Sequence, residues 1–168
     1  FRRALPQADL GRVLLLGAGG AGAAIAHAVL RLGAGHLVVN DREAARAADL
    51  AASLNERYGA GRVSASEDVG AALRGASGLI HATPTGMDKL PGLPLPVELL
   101  RAEQWVAEVV YFPIETALLR AARARGCATV DGGGMAVWQA VGAFKLFTGL
   151  EPDPARMEAH FRRLLAER

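Results

Sequence analysis

The sequence predicts a doubly wound α/β domain built on a parallel sheet of six strands in the order 3-2-1-4-5-6. Short apolar runs alternate along the chain with longer Ala-rich segments of helical period, which is typical of repeated βαβ units with helices on both faces of the sheet. A glycine-rich turn, Gly17–Gly22, separates the first apolar run from the first helical segment. In this fold class, such a turn is the position of a ligand site.

The first half of the chain contains three predicted strands and two predicted helices. Residues 12–17 are a predicted strand, because the apolar run that follows Arg12 has no polar alternation, which is typical of a strand buried on both faces. The Ala-rich segment 21–32 is a predicted helix that ends at a glycine, and 36–40 is a second apolar strand. A long helix over 42–58, also closed by a glycine, precedes a weak third strand at 62–66.

The second half continues the alternation. A short helix at 69–73 leads into a fourth apolar strand at 78–82, and prolines and glycines then predict a long loop. A fifth strand at 105–110, a helix at 116–125 and a sixth strand at 128–130 complete the sheet. Two closing helices are predicted over residues 135–148 and 154–166.

Composition excludes several functional classes. With 168 residues and 51% apolar side chains, the chain can bury the core of one domain, which excludes a disordered protein. Its 19 basic and 17 acidic residues form no basic cluster with interleaved aromatics, so we expect no nucleic-acid partner. No apolar run is long enough to cross a membrane, and no His, Cys or acidic residues have metal-ligand spacing. The single Cys127 fits a reducing compartment, so we predict a cytoplasmic protein.

The glycine-rich turn matches the pattern G-x-G-x-x-G between a strand and a helix, which predicts a dinucleotide-binding (Rossmann) fold. Gly17 permits the tight turn, Gly19 allows close approach of a pyrophosphate, and Gly22 lets the helix pack against the strand. Gly20 and Ala21 complete the loop, and the helix N-terminus offers N–H groups and partial positive charge to phosphates. The alternative is a purely structural turn.

The end of the second strand predicts which nicotinamide cofactor binds. Asp41 lies 19 residues after Gly22, where a carboxylate accepts hydrogen bonds from the adenosine ribose hydroxyls and repels a 2′-phosphate. We therefore predict NAD, with NADP still open because Arg42 or Arg46 can pair with that phosphate. Asp41 is alternatively an N-cap of the helix starting near Glu43, and the two arginines are alternatively a solvated helix face.

Five segments carry a pattern that extends over nearly the whole chain, and they cover residues 17–22 (GAGGAG), 81–87 (HATPTGM), 109–116 (VVYFPIET), 131–139 (DGGGMAVWQ) and 143–149 (AFKLFTG). In these segments the sequence resembles the shikimate/quinate dehydrogenase family, in its C-terminal NAD(P)-binding domain. Asp41 and the PIET stretch are most similar to the NAD-preferring quinate/shikimate branch. The NADP-dependent branch usually has Asn-Arg-Thr at 41–43.

The resemblance implies an NAD(P)-dependent oxidoreductase acting on a ring hydroxyl of shikimate or quinate, with a substrate domain ahead of this one. Residues 1–11 would then be the linking helix or linker from that domain, and 150–168 a C-terminal helix that packs toward it. The family's catalytic Lys–Asp pair lies in the substrate domain, and Lys89 and Lys145 stand in other segments. We therefore assign no catalytic residue here and expect cofactor binding without turnover. An exposed apolar stripe on the last helix would make a homodimer possible.

The resemblance also implies roles for residues beyond the glycine loop. Ala82 and Thr83 would line the nicotinamide side, Val109 and Gly132 would offer backbone contacts to the carboxamide, and Met135 would pack near the ring. Of these, Thr83 and Gly132 fall just past the carboxyl ends of predicted strands, as Tyr111 does, where open parallel sheets bind ligands. For Met135, a plain core position is the alternative.

Tyr111 and Gln139 match the family's two substrate contacts from this domain, since a phenol and an amide can each donate and accept hydrogen bonds. The alternatives are a buried ring at Tyr111 and an ordinary surface position at Gln139. Two residues beside the predicted pocket differ from those common in the family. His81 occupies a position where the family commonly has Asn, and Glu108 one where it commonly has Asp. Two other functions stay open: a non-catalytic NAD-binding regulatory module, and a dehydrogenase of a different hydroxylated substrate.

Overall fold

The computed structural model describes residues 1–167, so that Arg168, the last residue of the predicted C-terminal segment, lies outside the described residues. It contains one six-stranded sheet in the order β3-β2-β1-β4-β5-β6. All of its strand pairs are parallel, which confirms the predicted fold class. The strands are β1 (Arg12–Leu16), β2 (His36–Asn40), β3 (Val63–Ala65), β4 (Gly78–His81), β5 (Trp105–Glu108) and β6 (Ala128–Val130).

Six α-helices connect or follow the strands. They are α1 (Gly20–Arg31), α2 (Ala44–Tyr58), α3 (Val69–Arg74), α4 (Ala117–Ala124), α5 (Gly133–Thr148) and α6 (Pro154–Ala166), with a 3₁₀ turn at Val97–Leu99. Helix α2 begins two residues later than predicted, because the Asp41 carboxylate accepts the N–H of Glu43 and keeps that residue outside the helix. Helix α5 begins at Gly133, two residues earlier than predicted. None of the helices described is a candidate to span a membrane.

The core lies on both faces of the sheet, as the apolar runs predicted. Along β1, Val13 and Leu15 pack into one cluster together with residues of α1 and α2. Leu14 and Leu16 point the other way into a second cluster with α3 and α4. Burial on both faces explains why β1 shows no polar alternation. It also fixes β1 at the centre of the sheet, between β2 and β4.

The last helix differs from the sequence expectation. Its apolar stripe is partly covered, with Met157, Phe161 and Leu165 half-buried and only Leu164 exposed. Instead, the most exposed large apolar side chains lie at the end of α5, where Leu146 is 84% and Phe147 88% exposed. The stripe is covered because α6 packs back on α5, where Phe161 reaches the first turn of the helix.

Gly78 lies where two neighbouring strands of the sheet pack too closely for a side chain. A Cβ at Gly78 would lie 2.0 Å from the indole of Trp105, the residue paired with it across β4 and β5. The indole cannot move freely, because its Nε1 donates a hydrogen bond of 2.7 Å to the carbonyl of Asp9. Trp105 therefore requires glycine as its cross-strand neighbour.

We predict that Gly78→Ala lowers the free energy of unfolding by about 2 kcal/mol or more, because overpacking a rigid core usually costs about 1–3 kcal/mol. Urea unfolding followed by circular dichroism measures the change. Gly142→Ala is the matched control, since a Cβ there meets nothing within 4 Å on an exposed face of α5. It should raise stability by up to about 1 kcal/mol. Equal effects of the two substitutions would contradict the packing argument.

Candidate cofactor site

The glycine-rich turn joins β1 to α1 at the carboxyl edge of the sheet. Gly17 has φ of +103°, and a Cβ there would lie 2.6 Å from the carbonyl oxygen of Ala82. A Cβ at Gly22 would lie 2.0 Å from the carbonyl oxygen of Gly17. Both positions therefore require glycine for close backbone packing, as the sequence pattern predicted.

Gly19 and Gly20 differ from the two packed glycines because a Cβ at either would meet nothing within 4 Å. They face open space at the beginning of α1. Gly19 is the N-cap and supplies no side-chain hydrogen bond, so that no cap covers the first turn. Gly20 and Ala21 are exposed there. Uncapped N–H groups at a helix N-terminus form a ready site for a phosphate or pyrophosphate.

Asp41 contacts the same turn from the end of β2. Its Oδ2 accepts the N–H of Ala18 at 2.7 Å, and its Oδ1 accepts the N–H of Glu43 at 2.9 Å. Partial burial opposes ionisation, but these two N–H groups, with Arg46 and Arg42, outweigh it and lower the pKa of the carboxyl below its usual value. The carboxylate is therefore ionised at neutral pH and held beside the loop. It turns the chain before α2, whose N-cap is Glu43 rather than Asp41.

The two arginines beyond Asp41 lie on the surface. Arg46 pairs with Glu43 at 2.9 Å, and its side chain is 56% exposed. The Arg42 side chain is 89% exposed and approaches Glu43 only at 4.0 Å. Both side chains are solvated at the start of α2, as the alternative interpretation of a solvated helix face predicted. Both also remain accessible to a ligand phosphate.

A buried hydrogen-bond network joins the ends of β4 and β5. The side chains of His81 and Glu108 are fully buried, and His81 Nδ1 lies 2.9 Å from Glu108 Oε1. His81 Nε2 contacts the Thr83 hydroxyl at 2.5 Å, and the Thr116 hydroxyl donates to Glu108 Oε2 at 3.0 Å. Thr116 is also the N-cap of α4, where it accepts the N–H of Leu119. The network therefore connects the loop after β4 to the start of α4.

The sequence showed that His81 and Glu108 differ from the residues common in the similar family. It did not reveal that these two side chains contact each other. The signal was present in the fold prediction, because His81 and Glu108 each lie near the end of a predicted strand and those strands are neighbours in the predicted order. In the structure the two residues are register partners.

The remaining predicted positions lie along the same edge. The Ala82 N–H donates to the Leu16 carbonyl, which brings the loop after β4 beside the glycine turn. A Cβ at Gly132 would lie 2.5 Å from the carbonyl oxygens of Val109 and Val110, so the end of β5 contacts the start of α5. Close backbone contacts thus bring these segments together at the carboxyl edge of the sheet.

The two predicted substrate contacts are accessible. Tyr111 is 49% exposed, which argues against the alternative of a buried ring. Gln139 is exposed on α5, and Met135 is half-buried in the first turn of that helix. Within residues 1–167, no cluster of His, Cys, Asp and Glu could hold a metal ion.

Relatives are found for nearly the whole chain. Residues 132–160 match the family described as the Shikimate 5′-dehydrogenase C-terminal domain. A shikimate dehydrogenase (NADP(+)) of Streptomyces avermitilis is 60% identical over 166 residues, covering 98% of this chain and 57% of that protein. A quinate/shikimate dehydrogenase (NAD(+)) of Corynebacterium glutamicum is 48% identical over 162 residues, covering 94% and 56% respectively.

Solved structures give the same result. Quinate dehydrogenase from Corynebacterium glutamicum in complex with NAD has a TM-score of 0.92 at 44% identity, covering 96% of this chain and 58% of that chain. Shikimate 5-dehydrogenase from Thermus thermophilus in complex with NADP(H) and shikimate has a TM-score of 0.79 at 38% identity, covering 96% and 59%. The chain spans a little more than half the length of the relatives it matches. By sequence and by fold, the chain is similar to shikimate and quinate dehydrogenases over this part of their length.

Proposed function

We propose that this chain is the cofactor-binding domain of an NAD(P)-dependent shikimate or quinate dehydrogenase. The observation that carries the proposal is the uncapped start of α1, where Gly19 and Gly20 leave room for a pyrophosphate beside the ionised Asp41. The reaction would be reversible hydride transfer between the nicotinamide ring and a carbon bearing a hydroxyl group. The substrate would be a small hydroxylated ring acid of the shikimate or quinate type.

We propose NAD as the preferred cofactor, although relatives of both cofactor types match the chain. Two backbone N–H groups fix the Asp41 carboxylate, so its negative charge stands at a defined point next to the loop. A fixed carboxylate accepts ribose hydroxyls and repels a 2′-phosphate. The opposing cations are less well placed, since Arg46 is paired with Glu43 and Arg42 is largely solvated.

The substrate side of the site is proposed to be completed by another domain. Tyr111 and Gln139 are exposed polar groups that can contact a hydroxylated acid. The exposed apolar end of α5, together with α6, would pack against that substrate domain, with residues 1–11 as the connection. A second copy of the chain is the other candidate for covering this apolar surface.

We predict that the chain binds NAD more tightly than NADP in calorimetric titrations. Asp41→Asn should weaken NAD binding by about three- to tenfold, since one hydrogen bond to a charged group contributes about 1.5 kcal/mol or less at an exposed site. The same substitution should strengthen NADP binding by removing charge repulsion. Asp49→Asn, an exposed carboxylate on α2, is the control for net charge. Tighter binding of NADP by the unmodified chain would instead mean that the arginines outweigh Asp41.

Gly19→Ala separates a binding role of the loop from a structural one. A methyl group there meets no protein atom, so we expect the unfolding transition to stay within about 1 kcal/mol of the unmodified chain. Cofactor affinity should fall about tenfold or more, because the methyl would occupy the space that a pyrophosphate needs. Gly142→Ala is the control for the substitution itself. Unchanged affinity in Gly19→Ala would show that the turn is only structural.

We further predict that these 168 residues alone do not oxidise shikimate or quinate, even with saturating cofactor. Lys145 is ion-paired with Glu151 near the end of α5, and Lys89 is exposed in the loop after β4. Both lysines are exposed, and the resemblance instead assigns the general acid–base pair, a role worth about 10²–10⁴-fold in rate, to the substrate domain. Absorbance at 340 nm would detect the reduced cofactor. Turnover by the purified chain would contradict this prediction and place the acid–base group within it.

A further inference from the structure

Helix α5 carries both Met135 and Gln139, yet it has little contact with the sheet. All of α5 lies within the described residues, and none of its side chains belongs to either of the two core clusters. Its main neighbour is α6. At its start, a Cβ at Gly132 would lie 2.5 Å from the carbonyl oxygens of Val109 and Val110, so the backbone holds the first turn. The direction of the rest of the helix depends on other contacts.

Trp138, on the second turn of α5, makes one such contact. The guanidinium carbon of Arg3 lies 4.3 Å from the centroid of the indole ring. This distance is within the range of about 6 Å over which a cation is attracted to the face of an aromatic ring. The Arg3 side chain is exposed and Trp138 is 40% exposed. Because a guanidinium group stays protonated in proteins, the contact is present at any ordinary pH.

The N-terminal segment that carries Arg3 is itself anchored to the domain. Leu5 and Leu10 pack against the core cluster on the α1 face of the sheet. The ring of Phe1 lies edge-on to the indole of Trp105, with 4.9 Å between the ring centroids. The segment is therefore held against the domain, and it places Arg3 at a defined point beside α5.

Trp138 stands next to the proposed substrate contact on α5. It directly precedes Gln139 and lies three residues after Met135, so that the three residues occupy two adjoining turns of the helix. A contact that fixes the indole therefore also fixes the position of the Gln139 amide. Tyr111, the other proposed substrate contact, follows β5 and belongs to the edge of the sheet. The distance between the two contacts thus depends on the angle of α5 to the sheet.

We propose that Arg3 is a positioning residue for the substrate, and that it acts through Trp138 to fix the Gln139 amide. This inference rests on the proposed function and adds to it a determinant of substrate affinity. Without the contact, α5 occupies further positions in which one substrate cannot reach both Gln139 and Tyr111. The fraction of protein competent to bind then falls, and the apparent affinity falls with it. The glycine turn and Asp41 lie outside α5, so the affinity for the cofactor depends little on Arg3.

The test measures the steady-state kinetics of shikimate and quinate oxidation by the intact protein that carries this chain, with saturating NAD or NADP. Arg3→Gln removes the cation and keeps a long polar side chain, whereas Arg3→Lys keeps the charge. Trp138→Leu removes the aromatic ring. A protein with both Arg3→Gln and Trp138→Leu shows whether the two residues act through each other.

Arg57→Gln is the matched control. The Arg57 guanidinium lies over the ring of Tyr58, 5.9 Å from its centroid, at the end of α2. This substitution therefore removes the same charge and the same kind of contact from a helix that carries no proposed substrate contact. The KM for the cofactor is a second readout, because a general loosening of the domain would raise it together with the KM for the substrate.

We expect Arg3→Gln to raise the KM for the substrate about two- to fivefold, which is the size of one exposed contact between a cation and an aromatic ring. Trp138→Leu should raise it at least as much, and adding Arg3→Gln to that variant should have no further effect. Values of kcat and of the KM for the cofactor should stay close to those of the unmodified protein. Arg3→Lys and Arg57→Gln should resemble the unmodified protein in every parameter.

A substrate KM that is unchanged in Arg3→Gln, or that rises only together with the cofactor KM, would overturn the inference and leave the proposed function intact. Independent effects of Arg3→Gln and Trp138→Leu in the double variant would also overturn it. Failure of the unmodified protein to oxidise either acid would contradict both the proposed function and the inference.

Discussion

The site depends on one constraint, the backbone contact made by Gly17. At this residue the end of β1, the loop after β4 and the first turn of α1 approach each other too closely for any side chain. The Ala82 carbonyl lies against one side of the turn, and Gly22 lies against the Gly17 carbonyl. Because the closest of these contacts are to backbone atoms, which cannot move aside as a flexible side chain can, they fix the direction of α1 relative to the sheet. The open space at Gly19 and Gly20 follows from that direction.

Two groups of charges surround this turn, and they have different physical roles. Asp41 and the neighbouring arginines are partly or largely solvated, so their ion pairs add little to stability and remain available to a ligand. His81 and Glu108 are fully buried and have all of their polar partners within the protein. In such a network the loss of one partner leaves a desolvated group unpaired, which is costly. The first group is accessible to a bound ligand, whereas the second holds the loop after β4 against the start of α4.

Local sequence was sufficient to predict the strand–helix order, the roles of Gly17 and Gly22, and the position of Asp41. These features depend on a short stretch of chain and on a fold whose strand order is known in advance. The contact between His81 and Glu108 was missed because it depends on the register of β4 and β5, which places residues 27 apart in the sequence side by side. The packing of α6 on α5 was missed for a similar reason, because an apolar stripe does not specify its partner.

Asp41 shows how the fold limits changes of cofactor preference. Its carboxylate, which we propose to bind the cofactor ribose, is also the acceptor for the N–H of Ala18 in the glycine turn. A substitution that removes the charge must therefore still supply an acceptor, or that N–H loses its partner and the turn loses a support. Asparagine supplies one acceptor, Oδ1, for the Ala18 N–H, and its NH₂ group then faces the N–H of Glu43 that the carboxylate also accepts, whereas alanine supplies no acceptor. Asp41→Asn therefore separates charge from loop geometry better than Asp41→Ala does.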